Sequence, residues 1–269
     1  MIRSLRNIWR LLRVARILAR HDALFPLEEL DIAPGVAALA RMLAGPPKAA
    51  ENGKEAAGRP EGRKGQRLAR ALNEAGPSFI KLGQALATRS DLLGEELAAD
   101  LSDLQDRLPP FPGAQARSIV EAELGRPLAE CFREFDDTSV AAASIAQVHF
   151  AITAQGEEVA VKVLRPGIEE AFAADVSLFY WLARMSLRGR PKMRRLKPVE
   201  AVHMMEKTVA VEMDMRMEAA AASELRGNFA DNPDFHVPRV DWSRTAQRVL
   251  TLERVSGLRV DDLDGLGRA

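Results

Sequence analysis

The chain has 269 residues, of which 47% are hydrophobic and 28% charged, and its 38 basic residues balance its 38 acidic ones. This length suits one large or two modest domains, and the absence of net charge gives no indication of nucleic-acid binding. A lone cysteine, Cys131, excludes a disulfide framework and a cysteine metal cluster, and we interpret it as a small buried hydrophobic residue. No apolar run approaches the roughly 20 residues needed to cross a bilayer.

The first 43 residues are predicted to form a basic amphipathic helical region. Residues 1–20 carry an arginine at every third or fourth position, no acidic residue and a wide apolar side. This pattern predicts contact with an anionic membrane surface, and the arginines exclude the apolar core of a secretory signal. Two alternatives stay open: a mitochondrial transit peptide, although Ser4 is the only hydroxyl residue, and a helix docked on its own domain. Residues 44–66 are predicted to be a flexible linker.

Residues 67–134 are predicted to form a helical extension with a break at Pro109–Pro112. Pro77 begins a helix that carries Lys81 and Gln84 three residues apart, on one face. Gly83 costs this helix about 1 kcal/mol relative to alanine, so we expect another segment of the chain to come close there. On these residues alone, a solvated lysine and glutamine on a surface helix would be the simpler interpretation.

Residues 135–258 are predicted to form a small lobe with a sheet. A strand over Ser144–Ala151 is followed by a turn at Gln155–Glu157 and by a second strand that contains Lys162. Apolar residues surround this lysine, which predicts a strand covered on both faces. An ammonium group there is costly without an acid or a phosphate, unless it reaches water at a strand edge. Protein kinases use this layout to hold a lysine against the α- and β-phosphates of ATP.

Small residues precede the first strand, where a kinase has glycines. Ala141, Ala142, Ala143 and Ser144 still offer backbone N–H groups, but their Cβ atoms restrict positive φ, so a nucleotide would be covered in a different pose. A small-residue loop or a helix start is the alternative. Downstream, residues 167–198 are predicted to be a helical insertion whose apolar residues serve packing.

Residues 199–229 are predicted to form one long helix that carries three acids. Asp214 and Glu218 are four residues apart and share a face, whereas Glu212 points elsewhere. The acids are interspersed with apolar residues, so we expect the helix to be packed on several sides and its acids to need partners. The lysines of two distant segments are the obvious candidates, and an ordinary solvated face is the alternative.

Taken together, these motifs resemble the UbiB family of atypical protein-kinase-like proteins, also called the ADCK or coenzyme Q8-type family. The resemblance runs from about residue 68 to the last residue and departs from the family at Ala146 and Ala221. It implies an α+β fold in which a large helical extension precedes a protein-kinase-like N-lobe, a small antiparallel sheet with an αC helix. The matching segments are Lys81–Gln84, Leu101–Pro112, Ala141–His149, Val159–Lys162, Arg165–Ile168, Glu212–Asp214 with Glu218, and Val249–Gly257.

The resemblance implies a nucleotide site. Lys162 and its αC partner Glu218 would hold the phosphates of ATP, and the loop Ala141–Ser144 would replace the glycine-rich loop. Backbone groups around Glu253 and Val255 would contact the adenine.

The resemblance also implies a regulatory pair of motifs. Lys81 and Gln84 belong to the KxGQ motif, whose lysine would engage Glu212 and Asp214 of the ExD motif. Residues 259–269 would begin a C-lobe that the chain lacks, and the catalytic loop and the Asp-Phe-Gly ligands of Mg²⁺ would belong to that lobe. We therefore expect no catalytic residue and no metal ligand here, and no ATPase activity from this fragment alone.

The function implied by the resemblance is support of ubiquinone biosynthesis by an ATP-binding, kinase-like protein, through ATPase activity of the full-length form. The expected location is peripheral, on the cytoplasmic side of the bacterial inner membrane. The expected partners are the anionic membrane surface, polyprenyl lipid intermediates, other ubiquinone biosynthesis proteins and a second copy of the chain. Two alternatives are a 2-polyprenylphenol 6-hydroxylase and a non-catalytic scaffold. For the hydroxylase, the sequence offers neither a flavin-binding glycine motif nor a metal triad.

Overall fold

The computed structural model describes residues 2–26, 34–44, 62–102, 104, 108–189, 191–258 and 267–268. Most of the predicted linker over 44–66 and most of the segment 259–269 lie outside these residues. The chain divides into two compact units: Met1–Arg107 with Gly167–Ala210 form unit 1, and Leu108–Pro166 with Val211–Ala269 form unit 2. The predicted helical insertion over 167–198 is helical and groups with unit 1.

Helices dominate the described part of the chain, and the strands lie in unit 2. The elements in chain order are α1 (Ile2–Arg20), α2 (Pro34–Ala44), α3 (Lys64–Ala75), α4 (Pro77–Ala87), α5 (Ser90–Leu93), α6 (Glu95–Ser102), α7 (Gly113–Leu124), α8 (Leu128–Cys131), β1 (Phe132–Phe135), β2 (Ala141–Ala142), β3 (Ala146–Thr153), β4 (Glu158–Leu164), α9 (Ile168–Gly189), a 3₁₀ helix (Pro191–Leu196), α10 (Pro198–Glu212), α11 (Met215–Asn228), a 3₁₀ helix (Trp242–Arg244) and β5 (Val249–Glu253).

The core of unit 1 forms between amphipathic helices. Leu11 and Leu18, at 1% and 7% exposure, turn one face of α1 into this core. Phe79 of α4 and Phe179 of α9 meet there edge to face, with ring centroids 5.1 Å apart. The buried carboxylate of Asp175 ties three helices together, since it accepts hydrogen bonds from Ser78 Oγ at 2.7 Å and from Arg10 Nε at 2.6 Å. Helix α1 is thus docked on its own unit by its apolar face.

Unit 2 is organised around an antiparallel sheet in the strand order β1-β3-β4-β5, with β2 paired to β3. Strands β3 and β4 match the two predicted strands, and the turn between them contains Gly156, whose φ of +91° favours glycine. The predicted fold class, α+β with a small antiparallel sheet, is therefore confirmed.

The two faces of this sheet differ. Valines 159, 161 and 163 of β4 are at most 2% exposed and pack with Ile119 and Val120 of α7. On the other face Ala160 is half-buried and the Lys162 side chain is 27% exposed. The prediction that both faces are covered is therefore correct for only one of them.

The predicted long helix over 199–229 is wrong at its centre, because it breaks into α10 and α11. Asp214 adopts an extended conformation between them, with φ −104° and ψ 97°, and its side chain accepts a hydrogen bond from the Arg216 N–H at 3.1 Å. The Met215 N–H then donates to the Gln247 carbonyl at 2.8 Å. Asp214 consequently caps the helix that carries Glu218 and does not share a continuous helical face with it.

Candidate functional site

Lys162 lies at the centre of the half-open face of the sheet. In the register, Lys162 is opposite Val148 of β3 and Leu250 of β5, and the neighbouring Ala160 is opposite Phe150 and Leu252. Residues directly opposite each other in an antiparallel sheet point to the same side. The ammonium group therefore rises from an apolar surface, with the small, half-buried Ala160 two residues before it.

Helix α11 brings Glu218 to this lysine. Buried Met215 and Ala219, both 0% exposed, fix the first turn of α11 in unit 2, and Glu218 lies in that turn. Lys162 Nζ donates to Glu218 Oε1 at 2.9 Å and to Oε2 at 2.7 Å. The structure thus joins the lysine and the acid for which the sequence predicted a pair.

The Lys162–Glu218 pair leaves one N–H donor of the ammonium group available to an anion. A lysine ammonium group has three N–H donors, and two of them are directed at the carboxylate. The side chains of Lys162 and Glu218 are 27% and 48% exposed, and a pair so accessible to water contributes roughly 0–1 kcal/mol to stability. The third N–H is available to a phosphate oxygen on the half-open face.

The alanine-rich segment is a tight hairpin beside the lysine. Ala141 and Ala142 form strand β2 opposite Val148 and Gln147 of β3, and the Ala143 N–H donates to the Ala146 carbonyl at 2.8 Å. The alternative of a helix start is therefore wrong. Ser144 is fully buried, and its hydroxyl has no hydrogen-bond partner among the described residues. The hairpin reaches the site through Val148, the cross-strand neighbour of Lys162.

Arg165, to which sequence reasoning gave no role, holds this hairpin in place. Its guanidinium group donates to the Ala143 carbonyl from Nε at 3.0 Å and from Nη2 at 2.8 Å, and to the Pro109 carbonyl from Nη1 at 2.9 Å. Its backbone N–H donates to the Ile145 carbonyl at 2.8 Å. The position of Arg165 directly after β4 is the signal that could have identified it, since a side chain there can reach the adjacent hairpin.

A buried polar chain anchors the same region of unit 2. The Gln147 side chain accepts from the Phe111 N–H at 2.9 Å and donates to the Phe111 carbonyl at 3.1 Å. It also lies 2.8 Å from Nε2 of His149, whose Nδ1 lies 2.7 Å from the Asp136 carbonyl. Burial lowers the pKa of His149, so its ring is neutral, with Nδ1–H donating to Asp136 and Nε2 accepting from Gln147.

The structure places the two predicted regulatory motifs in different units. Lys81 and Gln84 are half-buried on α4 of unit 1, and Glu212 and Asp214 belong to unit 2. Their engagement remains a prediction. Asp214 also pairs with Arg216, with Nη2 2.6 Å from Oδ2, and this neighbour lowers the Asp214 pKa.

The close approach predicted at Gly83 of α4 is confirmed. A Cβ atom added to Gly83 would overlap the side chain of Leu104 and lie 2.8 Å from Leu72 Cδ1. The glycine therefore lets α4 pack tightly inside unit 1.

The segment predicted to contact adenine begins at the end of β5. The Glu253 N–H donates to the Arg239 carbonyl at 2.8 Å, and the Glu253 carboxylate accepts from the Arg239 N–H at 3.1 Å. That backbone hydrogen bond is the main reason that the pKa of Glu253 is lowered. Because its N–H is already engaged, Glu253 cannot offer it to a base, and Val255 lies exposed beyond the strand.

The described residues supply neither a metal cluster nor a membrane-spanning helix. No group of three or more His, Cys, Asp or Glu side chains in the described ranges is arranged to hold a metal ion. No described helix combines the length and the apolar character required to cross a bilayer.

Comparisons with known proteins agree with this geometry. A family model of the ABC1 atypical kinase-like domain matches residues 103–269. Proteins named "Probable protein kinase UbiB" from Marinobacter nauticus and from Xanthomonas euvesicatoria pv. vesicatoria are 46% and 47% identical over 206 and 211 residues. Each alignment covers 77% of this chain and 38% of the relative.

A solved structure described as "The complex structure of Rv3197-erythromycin from Mycobacterium tuberculosis" is 34% identical, with a TM-score of 0.47. The alignment covers 71% of this chain and 48% of that chain. The chain thus spans well under half the length of the curated relatives it matches. Since the ABC1 family model covers more than half of the residues and includes both β4 with Lys162 and α11 with Glu218, the chain belongs to the ABC1 atypical kinase-like family.

Proposed function

We propose that this chain carries the ATP-covering lobe of a UbiB-type kinase-like protein. The observation that carries the proposal is the bidentate Lys162–Glu218 pair on the half-open face of an antiparallel sheet. The position of an ammonium group held by a helix carboxylate over such a sheet is the arrangement by which kinases bind nucleotide phosphates.

The residues of this face offer an apolar surface for the base of ATP and a hydrogen-bond donor for its phosphates. Half-buried Val148, Ala160 and Leu252 provide an apolar surface for a purine ring, and Lys162 provides the remaining N–H for a phosphate oxygen. Glu218 orients the ammonium group through two hydrogen bonds, and the β2–β3 hairpin flanks the same face. ATP would supply the transferable phosphoryl group. We assign no Mg²⁺ ligand within the described residues.

The role of the complete protein is proposed from its named relatives. We propose that the full-length form supports ubiquinone biosynthesis through ATPase activity, bound peripherally at the cytoplasmic side of the bacterial inner membrane. Its partners would be the anionic membrane surface, polyprenyl intermediates and other enzymes of the pathway. The identity of 46% to a probable protein kinase UbiB supports this assignment.

Substitution of Lys162 tests nucleotide binding. The variant Lys162→Ala loses one charge-assisted hydrogen bond to phosphate. We therefore expect it to bind ATP about 10- to 100-fold more weakly than the wild-type chain, as measured by isothermal titration calorimetry. The melting temperature should change little, because the Lys162–Glu218 pair is accessible to water.

Lys197→Ala is the matched control. It removes the same charge and a similar surface pair, since Lys197 Nζ lies 3.0 Å from Glu200 Oε2 at 70% and 67% side-chain exposure. Its ATP affinity should equal that of the wild-type chain. ATP binding that survives Lys162→Ala, or a wild-type chain that binds no ATP, would contradict the proposal.

A further inference from the structure

The exposed side of α1 carries a narrow basic stripe. Arg6, Trp9, Arg13, Arg16 and Arg20 fall within a sector of about 80° when successive residues are about 100° apart around the helix axis. We call these five residues the arginine stripe. Trp9 is 72% exposed, and Arg6, Arg13 and Arg16 are exposed as well. The opposite, apolar side of α1 packs into the core of unit 1, so the stripe offers a partner the basic surface of this helix.

The arginines of α1 are not equivalent. Arg10 turns away from the stripe, where Nε lies 2.6 Å from the buried carboxylate of Asp175 and Nη2 donates to the Ala171 carbonyl at 3.3 Å. By contrast, Arg13 and Arg16 make no hydrogen bond or ion pair with any residue in the described ranges. A simple amphipathic-helix interpretation would count every arginine alike, whereas the structure separates a structural one from the exposed ones.

A cavity of about 320 Å³ in unit 1 opens beside the stripe. Its lining is Arg13, Arg16, Ile17, Arg20 and Glu74. The one acid is already neutralised, because Glu74 accepts from Arg20 and lies 2.8 Å from Nε2 of His21. The cavity therefore has two uncompensated guanidinium groups, each with five N–H donors in a planar fork that fits phosphate oxygens.

We propose that this cavity binds the phosphate of an anionic phospholipid, and that Trp9 lies at the headgroup level of the same membrane. The exposed tryptophan favours a lipid over free phosphate, because tryptophan prefers the boundary between headgroups and acyl chains. Helix α2, which packs against α1, also exposes Met42 and Leu43, at 74% and 45%. This inference rests on the membrane part of the proposed function and assigns the residues that would carry it.

The decisive variant is Arg13→Gln/Arg16→Gln in the whole chain. The probe is co-sedimentation with phosphatidylcholine vesicles with and without phosphatidylglycerol. Each arginine near an anionic surface contributes on the order of a five-fold gain in binding, so the double variant should bind phosphatidylglycerol vesicles about 10- to 30-fold more weakly. Circular dichroism should be unchanged, because both side chains are exposed.

Arg194→Gln/Arg195→Gln is the matched control, because it removes two exposed arginines from unit 1 outside the stripe. Its binding should stay within about two-fold of wild type, since neither arginine lines the cavity or belongs to the stripe. An equal loss in both double variants would overturn the site and indicate binding by overall charge.

The remaining outcomes separate this inference from the proposed function. If the double variant Arg13→Gln/Arg16→Gln binds phosphatidylglycerol vesicles as well as wild type does, the cavity is not the lipid site, but the proposed membrane binding stands. If the wild-type chain binds vesicles equally with and without phosphatidylglycerol, both the lipid site and the proposed binding to an anionic membrane are wrong. Inorganic phosphate is the third probe: a thermal shift that needs Arg13 and Arg16, without vesicle binding, would assign the cavity to free phosphate and overturn the lipid.

Discussion

At Asp214 a single carboxylate does two jobs in unit 2. Its oxygens accept from the Arg216 backbone N–H and from the Arg216 guanidinium group, so the side chain both caps α11 and holds a counter-ion. The cap fixes where α11 begins and thereby where Glu218 lies relative to Lys162. The neighbouring guanidinium group lowers the pKa of Asp214, so the carboxylate is ionised at neutral pH.

Asp214→Ala should lower the free energy of unfolding by about 1 kcal/mol, the usual cost of losing an N-cap oxygen. Asp214→Asn removes the charge but keeps a capping oxygen, so it should lower the free energy of unfolding by only a few tenths of a kcal/mol. Urea titrations of the two variants measure the difference. An asparagine variant as unstable as the alanine variant would show that the charge, and not the cap, is what matters.

The residues of the site differ in how far sequence could locate them. That Lys162 and Glu218 need partners was predictable, because a lysine in an apolar strand and an acid amid apolar helical residues are both costly alone, whereas their pairing with each other was implied by the resemblance to the UbiB family. The cap at Asp214 could not be predicted, because the helix break depends on a hydrogen bond from the Met215 N–H to the carbonyl of Gln247, 32 positions further along the sequence. The role of Arg165 was missed because its acceptors are backbone carbonyls, which no residue type reveals, and only its position directly after β4 points to it.

At the scale of elements, the β2–β3 hairpin is held by a side chain from outside it. Arg165 joins the hairpin carbonyl of Ala143 to the carbonyl of Pro109, so one guanidinium group satisfies acceptors from two segments of unit 2. The hairpin has no glycine, and its backbone is therefore stiffer than a glycine-rich loop. Together these features restrict the hairpin to one preferred position in unit 2.

Arg165→Ala should loosen this hairpin without unfolding the sheet. The amide of Ala143, which donates to the Ala146 carbonyl, is expected to exchange its hydrogen at least about ten-fold faster, because loss of hydrogen bonds to a charged group costs about 1.5–3 kcal/mol. Hydrogen exchange followed by NMR gives the rate for each residue.

Arg133→Ala is the control, since Arg133 is exposed on β1 and pairs only with its exposed neighbour Glu134 among the described residues. Exchange at Ala143 should be unchanged in that variant. Equal protection of the Ala143 amide in wild type and Arg165→Ala would show that the hairpin hydrogen bonds suffice by themselves.

At the scale of the whole molecule, the titratable groups make the fold sensitive to acid. The pKa of His149 is lowered mainly by burial, so the unfolded chain, with an ordinary value of 6.5, binds this proton more tightly than the folded chain. Asp100 and Asp214 have pKa values below the ordinary 3.8, chiefly through hydrogen bonds from Arg63 and Arg216, and act in the same direction at lower pH.

The free energy of unfolding should therefore fall as the pH drops below 6.5, the ordinary pKa of histidine, and fall again near 3.8, where aspartates begin to bind protons in the unfolded chain. Urea midpoints measured from neutral pH downward would show both steps, and an NMR titration of the His149 ring would assign the first. Stability that holds constant or rises through the first step would contradict a neutral, buried His149.

The fold class was within reach of the sequence, because alternating valines and helical apolar periodicity predict a small sheet among many helices. The sequence could not predict that residues 167–210 group with the N-terminal helices, because the apolar pattern of these residues does not indicate which unit they pack against. Packing at Asp175 decided it, where Ser78 and Arg10 find their acceptor.

The division of the chain has a practical consequence for producing its parts. The polypeptide passes from unit 1 to unit 2 at residue 108, returns at residue 167 and crosses again at residue 211. A single cut at any codon therefore leaves at least one unit without some of its own residues. A helical unit free of residues of the other unit would have to be made by joining residue 107 to residue 167 through a designed connection, and a terminal deletion that removes part of a unit would report loss of folding rather than loss of function.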